Sequence, residues 1–140
     1  VEEAALGMFK DTPTKTVVYL NQKSDNFGVI VQIVGYPMAK DKILEIAAGI
    51  SSPDVINKEL VGNLGAKNAV IKPEYSGIGD GSVGLYADMG DEKTNMLLDM
   101  ILSYRGNAAF VLMLIRPGST SVDLKSLAQT VDGRIQQLTK

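Results

Sequence analysis

The sequence predicts an α+β domain with a single-layer, mostly antiparallel sheet of about five to six strands. Helices pack on this sheet, and the C-terminal helix is expected on its core face. Apolar, strand-like runs follow one another through short turns, which favours antiparallel pairing, and amphipathic helical runs flank them. The chain has 140 residues, 45% of them hydrophobic, which is enough for a substantial core. We therefore interpret residues 1–140 as a single domain.

Residues 95–116 (NMLLDMILSYRGNAAFVLMLIR) predict a central hairpin that turns at Gly106-Asn107, where glycine supplies the positive φ of a two-residue turn. Counting outward gives an apolar face of Tyr104/Ala109, Leu102/Val111, Met100/Met113 and Leu98/Ile115. The opposite, mixed face carries Arg105/Ala108, Ser103/Phe110, Ile101/Leu112, Asp99/Leu114 and Leu97/Arg116. We expect the first face against the core and the second only partly covered. The unbroken apolar run 108–115 indicates a central strand.

The N-terminal half predicts a helix, a hairpin and a second helix. Residues 1–9 are helix formers, and residues 16–21 and 28–36 are strand-like runs around a polar loop. Only Gln32 is polar inside the second run, which favours an internal strand. A helix over 39–50 follows, with an apolar stripe of Ile43, Ile46, Ala47 and Ile50. Residues 55–65 fit either a short helix or irregular structure.

The C-terminal half predicts two more strands before the central hairpin and one helix after it. Residues 69–72 and 83–89 are the strand candidates, separated by a glycine-containing loop, and residues 90–94 form a turn. The final helix spans 122–138, with Ser121 or Thr120 as its cap. Its apolar stripe contains Leu124, Leu127, Ala128, Val131, Ile135 and Leu138.

The composition excludes several kinds of chemistry. The chain has no cysteine and no histidine, which removes disulfides, thiol catalysis, the usual neutral-pH base and the commonest transition-metal ligand. Its formal net charge of −2 provides no basic field for nucleic acid. No apolar run approaches the ~20 residues that span a bilayer. We expect membrane contact only through a segment upstream of Val1, and no metal or cofactor.

The most site-like stretch is the loop 75–82, which contains three alternating glycines. A strand follows it where a phosphate-binding loop needs a helix N-terminus, and the GxGxxG spacing is incomplete, so a mobile turn is the simpler interpretation. As a ligand-binding surface it would offer Tyr75, Gly77, Gly79 and Asp80. Scattered aromatic residues could extend a cleft, namely Tyr19, Phe27, Tyr36, Tyr75 and Tyr86.

Two other groups of residues are candidates for metal or catalytic sites. The acidic residues Asp80, Asp88, Asp91 and Glu92 lack the alternating oxygen spacing of a calcium loop, and no spacing singles out a catalytic pair. The methionines 89, 96, 100 and 113 have soft thioethers, but Met100 and Met113 fall on the apolar face of the hairpin. Solvated turns and core filling explain these groups better, and no catalytic residue is predicted.

The C-terminal half carries three short motifs: GDGSV at 79–83, LSYRGNAAFV at 102–111 and LAQTVDGRI at 127–135. Together they resemble a layout found in extracytoplasmic domains of bacterial and archaeal lipoproteins and surface proteins, some with a PsbP-like or related α+β fold. Tyr104 stands where phenylalanine is usual, and Gly81 where a bulkier residue is common. The resemblance implies the fold and an extracytoplasmic location, with anchoring to a membrane through a missing N-terminus. It implies no catalytic residues.

These observations favour a non-enzymatic, extracytoplasmic domain that acts in binding or protein interaction. The mixed face of the hairpin motivates this hypothesis, because Phe110, Leu112 and Leu114 need a cover, either the N-terminal helix or a protein partner or second copy. One alternative is a small-ligand-binding sensor whose cleft lies beside the loop 75–82. A second, less favoured alternative is a hydrolase that uses carboxylates such as Asp80, Asp88 and Asp91.

Overall fold

The computed structural model describes residues 12–23, 26–51, 67–88, 96–117 and 124–138. In these ranges the strands are β1 (Thr14–Lys23), β2 (Asn26–Gly35), β3 (Lys67–Ile71), β4 (Gly81–Asp88), β5 (Met96–Arg105) and β6 (Ala108–Pro117). In the same described ranges the α-helices are α1 (Lys40–Ser51) and α2 (Leu124–Leu138), and a 3-10 turn spans Pro73–Tyr75. The predicted helix 1–9 and the ambiguous segment 55–65 lie outside the described residues.

The strands form one open sheet in the order β1-β2-β6-β5-β4-β3, and every neighbouring pair is antiparallel. This architecture confirms the predicted α+β class with an antiparallel sheet. β2 and β6 are both internal, as their apolar sequences predicted, because a strand covered on both faces needs few polar side chains. β1 and β3 are the outer strands.

The β5–β6 hairpin has the register that its sequence predicted. Arg105 pairs with Ala108 across the turn, and the pairing continues through Leu97 opposite Arg116 without a shift. Gly106 has a φ of 58°, which is the left-handed conformation that the turn requires. Since side chains alternate along each strand, this register fixes which residues share a face.

One face of the sheet, here called the α1 face, carries the predicted apolar set. Leu98, Met100, Leu102, Val111 and Met113 are fully buried there, beside residues of β2 and β4. Helix α1 packs on this face through buried Ile46 and half-buried Ile43 and Ile50. Met100 and Met113 therefore fill the core, as expected for flexible apolar side chains.

The opposite face, here called the α2 face, is also a core. Phe110, Leu112 and Leu114 are at most 1% exposed. They pack with Ile101 against the helical stripe Leu124, Ala128, Val131 and Ile135. The expected cover was the N-terminal helix or a partner, and this expectation is corrected: the cover is α2. These three side chains lie inside the protein and offer no accessible surface in this structure.

The position of α2 refines the predicted fold. The sequence led us to expect this helix on the apolar face that contains Met100, and it packs instead on the face that contains Phe110. Both faces are buried, and among the described residues each carries one helix, so the sheet has two cores. On the α2 face, the sheet extends beyond the helix on both sides. We call these two areas the β4–β5 flank and the β1–β2 flank. The candidate sites lie on these two flanks.

Candidate functional site

The loop 75–81 lies on the β4–β5 flank of α2 and is closed by a serine at the start of β4. The Ser82 hydroxyl donates to the Tyr75 carbonyl oxygen at 2.6 Å and accepts from the Ile78 N–H at 2.9 Å. Ser82 and Ile78 are both buried. One hydroxyl thus satisfies two backbone groups that this irregular loop would otherwise leave unpaired.

Three further hydrogen bonds fasten the same loop to the β5–β6 hairpin. The Ser103 hydroxyl donates to the Ile78 carbonyl at 2.9 Å, and the Asp80 N–H donates to the Tyr104 carbonyl at 2.8 Å. The Gly106 N–H donates to Asp80 Oδ2 at 2.8 Å. The Asp80 carboxylate therefore binds the hairpin turn.

Close packing explains two glycines in this region. Gly79 has a φ of 67°, and a Cβ there would lie 2.6 Å from the Tyr104 carbonyl oxygen and 3.1 Å from Asp132 Oδ1. The Tyr75 ring lies against Gly84 so closely that a Cβ on this glycine would overlap it. A Cβ on Gly77, whose φ is 82°, would meet no heavy atom of the described residues within 4 Å. Tyr75, Gly79 and Asp80 thus serve the loop's own structure, and Gly77 faces open space.

An ion pair joins this flank to α2. Arg105 donates from Nε to Asp132 Oδ1 at 2.8 Å and from Nη2 to Asp132 Oδ2 at 3.0 Å. Two parallel bonds between planar groups define both distance and orientation. The hydrogen bond to Asp132 raises the pKa of Arg105 above its ordinary value. The pair fixes the helix against the end of the hairpin.

A second ion pair lies at the other end of β5. Arg116 Nε donates to Asp99 Oδ2 at 2.6 Å, and Asp99 is only 4% exposed, so the guanidinium compensates a carboxylate removed from water. Burial raises the pKa of Tyr75, and the charge of Asp99 raises it further. Nearby, Lys72 Nζ lies 3.2 Å from Glu74 and 5.0 Å from the centre of the Tyr86 ring. These contacts are structural.

The group of acidic residues proposed from the sequence is dispersed where the structure describes it. Asp80 is bonded to Gly106, and Asp88 is at the far end of β4. Asp91 and Glu92 lie outside the described residues. In the described ranges no three acidic residues are grouped as they would be around a metal ion.

A groove of about 540 Å³ lies on the other flank of α2, between the helix and the β1–β2 hairpin. Its floor is formed by alternate residues of the two strands, and its wall by one face of α2. These are Lys15, Val17 and Tyr19 of β1, Gln32 and Val34 of β2, Tyr36, and Val131, Arg134, Ile135 and Leu138 of α2, with Pro13 and Thr14 at one end. The helical positions recur at intervals of three and four, which places them on one side of α2.

Register explains why these strand residues share the floor. Val17 pairs with Gln32 and Lys15 pairs with Val34, so their side chains point to the same face. The Tyr36 N–H donates to the Pro13 carbonyl at 3.0 Å, which closes the end of the hairpin. The Tyr36 hydroxyl is 3.4 Å from the Leu138 carbonyl, a long hydrogen bond between the floor and the helix.

Gln32 is the unusual residue of this groove. It is 7% exposed, and its buried Oε1 has no hydrogen-bond partner among the described residues. A buried amide oxygen left unpaired costs about 1–3 kcal/mol. A half-turn of the amide exchanges Oε1 with Nε2, so this side chain can present either an acceptor or a donor.

The groove also contains two basic side chains, one from its floor and one from its wall. Lys15 extends from β1 and Arg134 from α2. Within the described part of the chain, neither forms a salt bridge, whereas Arg105 and Arg116 are both paired. The described residues that line the groove include no aspartate or glutamate.

The sequence signalled part of this groove without locating it. Gln32 stands out as the lone polar residue of an apolar strand, and Tyr19 and Tyr36 are among the candidate cleft aromatics. Of the other three, Tyr75 and Tyr86 do not line the groove, and the Phe27 side chain lies outside what is described. Arg134 and Lys15 were missed, because nothing in the sequence places the C-terminal helix beside the first hairpin.

Comparison of the chain with protein families, with curated proteins and with solved structures found no match. The resemblance of the C-terminal half to lipoprotein and surface-protein domains therefore stays a prediction. Among the described residues, no helix combines the length and apolar character needed to cross a membrane.

Proposed function

We propose that this domain is a non-enzymatic, extracytoplasmic binding module that holds a small ligand in the groove between the β1–β2 hairpin and α2. The buried amide oxygen of Gln32, unpaired within the described part of the chain, carries this proposal. A ligand that donates a hydrogen bond to this amide removes a cost that the unliganded protein bears. The extracytoplasmic location rests on the resemblance of the C-terminal motifs.

The shape and lining of the groove support the same function. A volume of about 540 Å³ is within the range typical of small-molecule sites. Its lining is mostly apolar and aromatic with a few polar groups, the combination by which such sites bind and orient a ligand. Tyr19 is 41% exposed and Leu138 is 56% exposed, so a ligand would cover apolar surface now in contact with water.

The groove is a better candidate than the two surfaces suggested by the sequence. In the loop 75–81, the Tyr75 carbonyl and Asp80 Oδ2 are hydrogen-bonded within the protein. Phe110, Leu112 and Leu114 are covered by α2. A small ligand thus becomes the leading hypothesis over a protein partner. Asp80, one of the carboxylates considered for hydrolysis, is bonded to the hairpin turn.

A fragment screen by methyl NMR tests the proposal. Binding should shift the methyl signals of Val17, Val34, Val131 and Ile135, and leave that of Ile46, on the α1 face, unchanged. Gln32→Met should weaken binding about tenfold, since it removes the amide and nearly keeps the volume. Gln129→Met makes the same change on the exposed side of α2 and should have no effect. The proposal fails if no fragment shifts the groove methyls.

A further inference from the structure

We infer that the ligand of this groove is an amphipathic anion: a carboxylate attached to an aromatic or aliphatic body. The inference rests on the proposed function and adds the chemical class of the ligand. It follows from two observations about the groove: the sign and pairing of its charges, and the position of its apolar surface.

The charges of the groove are opposite in sign to that of the chain. The whole chain carries a formal charge of −2, whereas the described lining of the groove contains Lys15 and Arg134 and no acidic side chain. The two cations extend from separate elements, the edge strand β1 and helix α2, toward one cavity. An anion bound there would be attracted by both side chains, and a cation repelled by both.

The absence of an ion pair among the described residues distinguishes these two cations from Arg105, Arg116 and Lys72. Arg105 and Arg116 bind Asp132 and Asp99 within 2.8 Å, and Lys72 binds Glu74 at 3.2 Å. Within the described residues Lys15 and Arg134 form no such pair, so a ligand need not break an existing one. The guanidinium of Arg134 can donate two parallel bonds to a carboxylate.

The rest of the groove determines the non-ionic part of the ligand. Val17, Val34, Ile135 and Leu138 supply apolar surface, and Tyr19 and Tyr36 supply rings for edge or face contact. Gln32 lies on the floor with this apolar surface, opposite Val17 across the strands. A ligand with a charged end and an apolar body matches both the cations and the apolar surface, and a fully polar anion matches only the cations.

Matched probe pairs test the class. Phenylacetate and decanoate would be titrated against phenylacetamide and decanamide, with methyl NMR as the readout at low ionic strength. In each pair the carboxylate and amide have nearly the same size and differ in charge. At least one carboxylate should bind about tenfold tighter than its amide, and added salt should reduce the difference. The carboxylate that binds more tightly identifies an aromatic or an aliphatic body.

Variants that remove one positive charge test whether Lys15 and Arg134 cause the preference for a carboxylate over an amide. Lys15→Gln and Arg134→Gln should each weaken carboxylate binding about three- to tenfold and leave amide binding unchanged. Lys125→Gln is the matched control, since Lys125 is an exposed lysine of α2 away from the groove. Circular dichroism melting of each variant would verify that it is folded.

The outcomes separate this inference from the proposed function. Equal binding of carboxylate and amide, or binding only of neutral or cationic fragments, overturns the anionic class and leaves the groove as a binding site. If none of the fragments or probes shifts a groove methyl, the proposed function falls, and the inference falls with it.

Discussion

On the β4–β5 flank of α2, hydrogen bonds join Tyr75, Ile78 and Asp80 of the loop 75–81 to Ser82, Ser103 and Gly106. On the β1–β2 flank, the groove contains a buried amide oxygen without a partner and two cations without an ion pair among the described residues. In the sequence, the loop of the first flank looks like a binding site because it is rich in glycine. The strand residues of the second flank look like those of an ordinary sheet. Glycine content thus marks close packing as readily as it marks binding, whereas unsatisfied polarity can be found only in a folded chain.

The largest difference between the two flanks is expected when the packing of the loop 75–81 is disturbed. Gly79→Ala should lower the free energy of unfolding by about 2–4 kcal/mol, because the methyl group meets the Tyr104 carbonyl and the φ is left-handed. Gly77→Ala is the matched control: its φ is also positive but its surroundings are open, so about 1 kcal/mol is expected. Urea denaturation of both variants measures the difference. Equal losses would mean that the loop is not tightly packed against the hairpin.

Two polar-to-apolar substitutions, one on each flank, should change the free energy of unfolding in opposite directions. Ser103→Ala leaves the Ile78 carbonyl without its donor and should cost about 1–2 kcal/mol of stability. Gln32→Met removes an amide whose oxygen has no partner among the described residues, and should stabilise the unliganded protein by up to about 1 kcal/mol. Thermal and chemical unfolding of the two variants provide the measurement. A destabilised Gln32→Met would indicate that the amide is already satisfied, which removes the main support for the groove.

The smallest expected effect is on the pH dependence of the free energy of unfolding, and it arises from the β4–β5 flank alone. Burial raises the pKa of Tyr75 in the folded protein above its ordinary value of about 10. Since the folded state favours the protonated phenol, its contribution to stability is complete below the ordinary pKa and is lost as the pH rises through the folded pKa. Tyr75→Phe should therefore flatten the alkaline decline in unfolding free energy. Tyr19→Phe, an exposed tyrosine on the groove flank, serves as the control.

The sequence was most informative where the decisive interactions are local. Gly106-Asn107 defines the turn, alternation defines the faces, and together they predicted every pair of the β5–β6 hairpin from Arg105/Ala108 to Leu97/Arg116. Predicted strand and helix ends in the described ranges differ from the observed ones by a few residues, as between the predicted 16–21 and the observed Thr14–Lys23. Those ends depend on pairing with a neighbouring strand, and alternation within a single strand cannot specify it.

The candidate site was harder to predict because its residues are distant in the chain. The sequence predicted Tyr19 and Tyr36 as aromatic residues of a cleft, and both line the observed groove. The sequence placed the other side of that cleft at the loop with Tyr75, Gly77, Gly79 and Asp80. In the structure the other side of the groove is α2, which lies more than a hundred positions after Val17 in the sequence. No short motif encodes such a contact, and the polar lining residues Lys15 and Arg134 look like ordinary solvated charges until the helix is placed.

By itself, then, the sequence determined the α+β class, the antiparallel hairpins and the internal positions of β2 and β6. Turn chemistry and the two-residue period of a strand are properties of neighbouring residues, and they act before any distant contact forms. The sequence does not show which helix covers which face, because both faces of the β5–β6 hairpin carry apolar side chains that become buried. The assignment depends on contacts between elements that are distant in the chain. That choice buried Phe110, Leu112 and Leu114 beneath α2 and opened the groove beside it. Whether a polar side chain such as Gln32 has a partner depends on everything packed around it, and the order of residues along one strand does not contain that information.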